Sequence, residues 1–395
     1  MANFSCFKYK AVYFFFIFSV LFCQLVSART PIAEGLQSIV NKTLSNSETP
    51  GAVLLVSSPE LGTIIITAGV ANKKTHEPMK ATNNFRIASM SKTFLAATIL
   101  KLIEQNKLTL NDKIAPLLAE SIDLKKLPNS KDVTIRELLQ MRSGIPNYVK
   151  FDTYYDLVHD MIGEKWTPQS CIKIVYNKKP SFIPDHAYEY SNTNYLLLQL
   201  IVEKITGQSF ATAIRQQILN PLQLNNTFIE ITESAPPHQL TTHGYQFVDD
   251  EVVDVTNYND GLGLGDSGMV STAGDINRFI RALLNEKVIL RANSLKQMLR
   301  TKDDYGLGIY GEEINGKWAW SHNGLSSGFQ GQYYYFPHEK LSIVYLTNYF
   351  DTDTIDKVVP KVVKYLTKYR ENKFLLLEKS SNPESRRVIP WFNLR

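Results

Sequence analysis

Ser89-Met90-Ser91-Lys92 sets a hydroxyl and an amine three residues apart at the head of an apolar, helix-like run. If Ser89 opens a helix, Lys92 lies one turn along on the same face. Residues 93–104 (TFLAATILKLIE) put Phe94, Leu95, Ile99, Leu102 and Ile103 near one stripe, which reads as a buried helix. A lysine buried there loses water and its pKa falls. It then becomes a base for an otherwise unreactive serine, the nucleophile-plus-base pairing of covalent catalysis. Ser5 to Lys8 and Ser170 to Lys173 share the spacing. The first lies in a segment read below as a removable leader. The second sits in a short basic stretch, residues 172–180 (IKIVYNKKP), with no long apolar helix to bury its lysine.

Two further constellations can reach the same chemistry. Tyr190-Ser191-Asn192 stands after Pro184 and just before an apolar helix. In an extended segment, side chains two apart point to one side, so a phenol and a carboxamide face one space. The phenol can relay a proton to a buried lysine, and the amide can hold a substrate carbonyl; the competing reading is a helix entry with Ser191 or Asn192 as cap. Trp320-Ser321-His322-Asn323-Gly324 lies on a strand running toward Gly328 and Gly331. Glycines within a strand pattern mark close backbone approach by a ligand. His322 can offer a positive charge or a hydrogen bond to a substrate carboxylate, and the amide of Leu325 can help hold an oxyanion.

The elements that must position these groups change character along the chain. Residues 52–57 (AVLLVS) and 63–68 (TIIITA) are β-branched runs separated by Pro59 and Gly62, a hairpin-like strand pair. From the helix at Ser89 to about Tyr258 the pattern is helical or loop-like, including residues 135–141 (IRELLQM) and 193–205 (TNYLLLQLIVEKI). Strand chemistry returns at residues 318–321, 332–336 (QYYYF) and 341–347 (LSIVYLT). The economical architecture is α+β in three layers: an antiparallel sheet with strands from both ends of the chain, flanked by helices, with a mainly helical lobe inserted. The sheet lobe covers about 32–107 and 257–370, the helical lobe about 108–256, and the cleft lies between them. Residues 373–395 read as a loosely attached tail.

Lys8 and Lys10 precede an apolar run that ends in the small-residue pattern Val26-Ser27-Ala28, the form of a secretory signal peptide cleaved after Ala28. The alternative is an uncleaved membrane anchor, the only membrane contact expected. Cleavage places the remaining domain outside the cell or in the periplasm. It takes Cys6 and Cys23 with it and leaves Cys171 alone, so the domain has no internal disulfide and its core must stabilise it. Roughly 340 residues are ample for that. Loss of two lysines and no acids takes the formal charge from +5 to +3, which argues against nucleic acid and against a polybasic membrane contact.

FRIASMSKTF, TIRELLQMRSGIP, YSN, GDSGMVSTAGDINRF and HNG, in this order, together resemble the signatures of the serine β-lactamase and penicillin-binding protein superfamily, in its class C-like branch. The resemblance covers roughly residues 32–369. It implies a β-lactamase/transpeptidase-like fold without cofactor or metal. It further implies that Ser89 is the acylated nucleophile, that Lys92 and Tyr190 share its proton and that of the leaving amine, and that Asn192 orients the substrate amide. The backbone amides of Ser89 and Leu325 would form the oxyanion hole, with His322, Asn323 and Gly324 on the substrate. Class C β-lactamases are expected to read Lys-Thr-Gly where this chain has His322-Asn323-Gly324. That departure favours the branch resembling D-alanyl-D-alanine carboxypeptidases and D-amino-acid peptidases. The expected substrate is therefore a peptidoglycan stem peptide or another D-amino-acid or β-lactam compound. The alternatives are a class C-like β-lactamase or esterase on the same scaffold, and a penicillin-binding module that acylates without turnover.

Competing motifs fit less well. Gly324-Leu325-Ser326-Ser327-Gly328 matches the G-x-S-x-G elbow, but strand-like residues follow where a helix is needed, and no acid stands between Ser326 and His338. No H-E-x-x-H occurs, and Cys171 has no nearby metal partners in sequence. Residues 265–275 (GDSGMVSTAGD) lack the phosphate-loop lysine; Gly265 and Gly268 instead permit a tight approach to the cleft, with Ser271 or Thr272 capping a helix from Asp275. Tyr333 to Tyr335 can line a binding wall but read better as a strand with one face in the core.

Overall fold

The computed structural model describes residues 30–154, 166–236, 241–350 and 352–381, with backbone alone for 352–356 and 373–381. The expected leader, residues 1–28, lies outside them. Twelve described strands run β1 (Gly51–Ser58), β2 (Gly62–Asn72), β3 (Glu77–Pro78), β4 (Phe85–Arg86), β5 (Phe228–Ile229), β6 (Tyr245–Val248), β7 (Glu251–Asp254), β8 (Met269–Ser271), β9 (Tyr310–Ile314), β10 (Lys317–Ser326), β11 (Phe329–Phe336) and β12 (Leu341–Thr347). The main sheet has the order β3-β2-β1-β12-β11-β10-β9 and its pairs are antiparallel, so strands from both ends of the chain meet at β1 and β12.

Alternation along these strands shows why the sheet is a middle layer. Ala52, Leu54 and Val56 of β1, with Ile343 and Tyr345 of β12, face helices α1 (Pro31–Leu44) and α5 (Thr352–Ser381). Val53, Leu55, Val344 and Leu346 face the larger core on the other side, which contains α2 (Ser91–Glu104), α3 (Asn192–Thr206) and α4 (Ala273–Ile280). Side chains of successive residues point to opposite faces, and here both faces are covered. The tyrosine run follows the rule: Tyr333 and Tyr335 enter one core and Tyr334 the other, so both faces of β11 are buried rather than one. Along α1, Ile32, Leu36 and Val40 recur at four-residue spacing and bury one stripe. Pro31 sits at its first turn, where a missing N–H costs nothing.

Several expectations are extended or corrected. The strand expected at 318–321 runs on through Ser326 and carries the His-Asn-Gly triplet within it. The stretch 373–381, read as loose tail, continues α5 to Ser381; the remainder lies outside the described residues. The inserted stretch, about 108–256, is mainly helical, with the β6–β7 hairpin and β5 added to it. α1 and α5 were not anticipated as helices.

A small sheet of order β4-β8-β5 is what brings distant segments to the site. β4 ends three residues before Ser89, and β8 begins three residues after Asp266. Their pairing, Phe85 with Ser271 and Arg86 with Val270, fixes the two segments side by side, and the Ile87 amide donates to Met269 O at 3.0 Å. Arg86 locks the outer end, donating to both Glu230 carboxylate oxygens at 2.9 and 3.0 Å.

Candidate active site

Ser89 sits in a single 3₁₀ turn, Ala88–Met90, immediately before α2, rather than within the α-helix itself. Ala88 has φ 46°, a left-handed conformation that costs about 1–2 kcal/mol outside glycine and is held by complete burial of Ile87, Ala88 and Met90. Ser89 alone in this turn is half-buried. The Ser91 hydroxyl accepts from the Met269 amide at 3.3 Å and ties the turn to β8. The serine thus stands at the positive end of a helix, where developing negative charge is favoured.

Lys92 is fully buried, and its Nζ lies 2.9 Å from Ser89 Oγ, 2.7 Å from Asn192 Oδ1 and 2.7 Å from the backbone oxygen of Asp266. Two of these partners are carbonyl oxygens and can only accept. A neutral amine has two protons and one lone pair, so its protons go to the carbonyls and its lone pair faces the Ser89 hydroxyl. Burial provides the neutral form: desolvation brings Lys92 down from 10.5 to about 7, against the pull of the Asp266 charge. Sequence spacing predicts the Ser89–Lys92 contact; the two carbonyls that aim the lone pair come from segments 100 and 174 residues away.

Tyr190 and Asn192 arrive as expected on one side. Ser191 is the extended residue before α3 (φ −136°, ψ 115°), but its side chain makes no capping bond. The Tyr190 hydroxyl faces Ser89, and its ring centroid is 5.0 Å from Lys92 Nζ. Burial drives this phenol well above its ordinary pKa, so it remains protonated. The ring stands edge-on to Tyr305, centroids 6.3 Å apart, which fixes its orientation.

On β10 the expectations divide. Pairing with β9 ends at Ser321, so from His322 onward the outer edge of β10 has no strand neighbour. The Ser89 turn crosses there: a Cβ on Gly324 would lie 2.2 Å from Ile87 O and 3.0 Å from Ser89 N. The close approach marked by this glycine is therefore that of the chain carrying the nucleophile, not of a ligand. Gly331, opposite in register, meets Met90 Cε at 2.7 Å in the same sense.

His322 cannot carry the charge that the sequence allowed it. It is fully buried, and burial takes it down to about 3. Its Nδ1 lies 2.7 Å from Asn323 O, a pure acceptor, so Nδ1 holds the proton; Nε2 accepts from the Tyr305 hydroxyl at 3.2 Å. Both ring nitrogens are engaged, and the imidazole braces Tyr305 behind Tyr190. Alternation puts the Asn323 side chain on the opposite face from Gly324, where it is exposed beside Tyr310, Glu312 and Tyr334. Only its backbone carbonyl serves the site, through His322. Leu325 is exposed at the strand end beside the Ser89 turn.

Residues 36–365 match the family model described as Beta-lactamase. The chain belongs to that family. It is 27% identical over 323 residues, 75% of this chain and 68% of the other, to Penicillin-binding protein 4* of Bacillus subtilis. The chain spans about two thirds of the length of the curated relatives it matches. Among solved structures, D-amino acid amidase from Ochrobactrum anthropi SV3 superposes with TM-score 0.75 at 24% identity, covering 86% of this chain and 100% of that one. A D-stereospecific amidohydrolase from Streptomyces sp. gives 0.72 at 24%, covering 82% and 96%. These likenesses show the fold, a mixed helix and sheet arrangement of β-lactamase/transpeptidase type.

Two residues of this Beta-lactamase-family site escaped the sequence reading. Asp266, 1% exposed, gives its backbone oxygen to Lys92 and its Oδ2 to the Tyr148 hydroxyl at 3.1 Å. Tyr148 is buried and anchored by its amide on Thr193 Oγ1 at 3.1 Å. The available signal was an acid flanked by glycines in an apolar stretch. Gly265 and Gly268 do permit tight packing, but against Gln199 and against Gly263–Leu264, which fixes the Asp266 loop and not the cleft directly. Thr272, not Ser271, caps α4, accepting from the Asp275 amide at 3.2 Å. Ser326 of the rejected elbow bonds Asp260, and β11 follows where a helix would be needed.

Proposed function

We propose that this member of the Beta-lactamase family is an exported serine hydrolase that opens D-configured amide bonds through an acyl-enzyme on Ser89. The peptide substrate is the D-alanyl-D-alanine end of peptidoglycan stem peptides. The observation that carries the reading is the Lys92 amine, 2.9 Å from Ser89 Oγ with both its protons drawn to carbonyls. Ser89 Oγ attacks the carbonyl carbon while its proton passes to Lys92. The tetrahedral oxyanion rests on the amides of Ser89 and Leu325, where losing one donor costs ~10²–10³ in rate. The C–N bond then breaks, and the leaving amine takes a proton relayed by the Tyr190 phenol. Water, deprotonated by the same base, attacks the ester and releases the acid. Asn192 has its Oδ1 on Lys92, which leaves its Nδ2 to orient the substrate carbonyl.

A second reading has its own support. A terminal carboxylate on the substrate calls for a cation, and His322 is neutral and enclosed. This favours D-amino-acid amides, which carry no carboxylate, over D-alanyl-D-alanine peptides and over penicillins. The name of the D-amino acid amidase neighbour agrees with that preference.

The test is a paired kinetic comparison of a diacetyl-lysyl-D-alanyl-D-alanine peptide, D- and L-amino-acid amides, a chromogenic cephalosporin and a short-chain ester, with fluorescent penicillin labelling alongside. D-amide and D-peptide turnover, lost with Ser89→Ala by ~10³-fold or more, is the expected result. Labelling without turnover means a binding module. No turnover and no labelling removes the acyl-enzyme reading.

A further inference from the structure

The Asp266 carboxylate is a buried acid that the acyl-transfer steps above do not use. It is 1% exposed, accepts from Tyr148, and makes no direct ion pair among the described residues. Burying an unpaired carboxylate costs several kcal/mol. The loop that imposes this is rigid: Gly265 N donates to Gln199 Oε1 at 2.7 Å, and Gly268 N donates to Leu264 O at 2.7 Å. The same residue's carbonyl accepts from Lys92 Nζ at 2.7 Å, so the residue that carries the acid is held beside the amine.

We propose that Asp266 is a positioning residue whose carboxylate is the fixed counter-charge for the ammonium that forms on Lys92 when Ser89 gives up its proton. The proposal rests on the acyl-enzyme reading. The balance is simple: the Ser89 proton moves to the Lys92 lone pair, Oγ bonds the substrate carbon, and Asp266 neither gains nor loses a proton. Without an anion nearby, a cation formed at this buried position would be stabilised only by dipoles. The other titratable groups around the pair do not provide one. Tyr190 and Tyr195 face Lys92 from the α3 side, with ring centroids 5.0 and 5.5 Å from Nζ, and both phenols are raised by burial. Tyr305 is raised likewise, and His322 on β10 is held neutral. Tyr148 and Cys171 face Asp266 itself, and burial raises both. Burial raises Asp266 above the ordinary carboxylate range, and Lys92 and the Tyr148 hydrogen bond pull in the opposite direction, toward the ionised form.

The experiment is an Asp266→Asn exchange read in two ways on the full chain. By ¹⁵Nζ NMR of labelled lysine, Lys92 should titrate about one unit lower in the variant. The acid limb of kcat/KM on the D-amino-acid amide should move down equally, with kcat falling ~10–100-fold and KM changing by less than about threefold. A merely structural role would lower activity without moving either titration, and an unmoved Lys92 in a folded variant overturns the proposal. Should the asparagine chain not fold, Asp266→Ser removes the same charge and is read the same way. The NMR titration needs no turnover, so an inert wild type would remove the acyl-enzyme reading while Asp266 was still tested.

Discussion

Lys92 is fully buried with three hydrogen-bond partners around its amine, whereas Lys173, at the same spacing from a serine, is exposed at the end of the six-residue helix Pro168–Lys173. Ser89 keeps its hydroxyl in a half-open cleft on a strained turn. Ser170 spends its hydroxyl on its own helix, accepting from the Thr167 amide at 3.1 Å and donating to Thr167 O at 2.8 Å, as half of a capping box. The spacing provides only proximity along one turn. The chemistry comes from the first turns of α2 being enclosed, with Phe94 stacked on Phe279 at 3.7 Å, so that the lysine is shielded from bulk solvent.

The largest effect that should separate the two regions is on the lysines. Arginine stays charged at any working pH, so Lys92→Arg removes the base while keeping the cation. Acylation should fall ~10³-fold, measured by the rate of ester burst release, whereas Lys173→Arg should leave it within twofold. Equal losses at both positions would mean that burial does not distinguish them.

A smaller effect comes from the turn that carries Ser89. Gly324→Ala puts a methyl 2.2 Å from Ile87 O and 3.0 Å from Ser89 N, both backbone atoms that cannot swing aside. Overpacking of this kind costs about 1–3 kcal/mol, and a serine displaced by an ångström can lose ~10²-fold in rate. Gly207→Ala is the control: its φ of +66° makes the substitution strained, but nothing lies within 4 Å of the new methyl. It should lower the urea midpoint and leave kcat/KM alone.

The pH dependence sharpens the contrast further. Burial lowers Lys92 to about 7, and the protonated form has no lone pair for Ser89. The rate therefore rises with pH, about tenfold per unit below 7, and levels off above it. Fluorophosphonate labelling of Ser89 between pH 5 and 9 reads this limb. A flat profile across that range would show that Lys92 is not the base.

How much of this was legible beforehand follows the same division. Local pattern marked the strands 52–57 and 341–347, the helix after Ser89 and the extended Tyr190-Ser191-Asn192 step, because each is written in alternation or helical spacing within a few residues. What alternation could not say is which neighbours a side chain meets. His322 read as a cation because a strand histidine is usually half-solvated; Tyr305 and Tyr310 close over it from a segment that had no recognisable pattern. Asn323 was placed on the substrate because the triplet was read as a unit, although alternation assigns its side chain to the far face. Asp266 was invisible as a partner because the contact uses its backbone oxygen, which every residue has.

The smallest expected effect tests the bland half of the comparison. Ser170→Ala removes the hydroxyl that serves the Thr167 amide, and with it one side of the capping box. Because the reciprocal bond, Ser170 N to Thr167 Oγ1 at 3.1 Å, survives, the loss should fall near the low end of capping costs, about 0.5–1 kcal/mol. The helix is short, yet Cys171 and Ile172 anchor it in the core, so the change should stay local and appear as a small drop in urea midpoint at constant m-value. Activity and the position of the acid limb should not move. If Ser170→Ala instead slowed acylation, a hydroxyl committed to its own helix would be communicating with the cleft. Sequence spacing would then be reporting something that burial, hydrogen bonding and distance all fail to show.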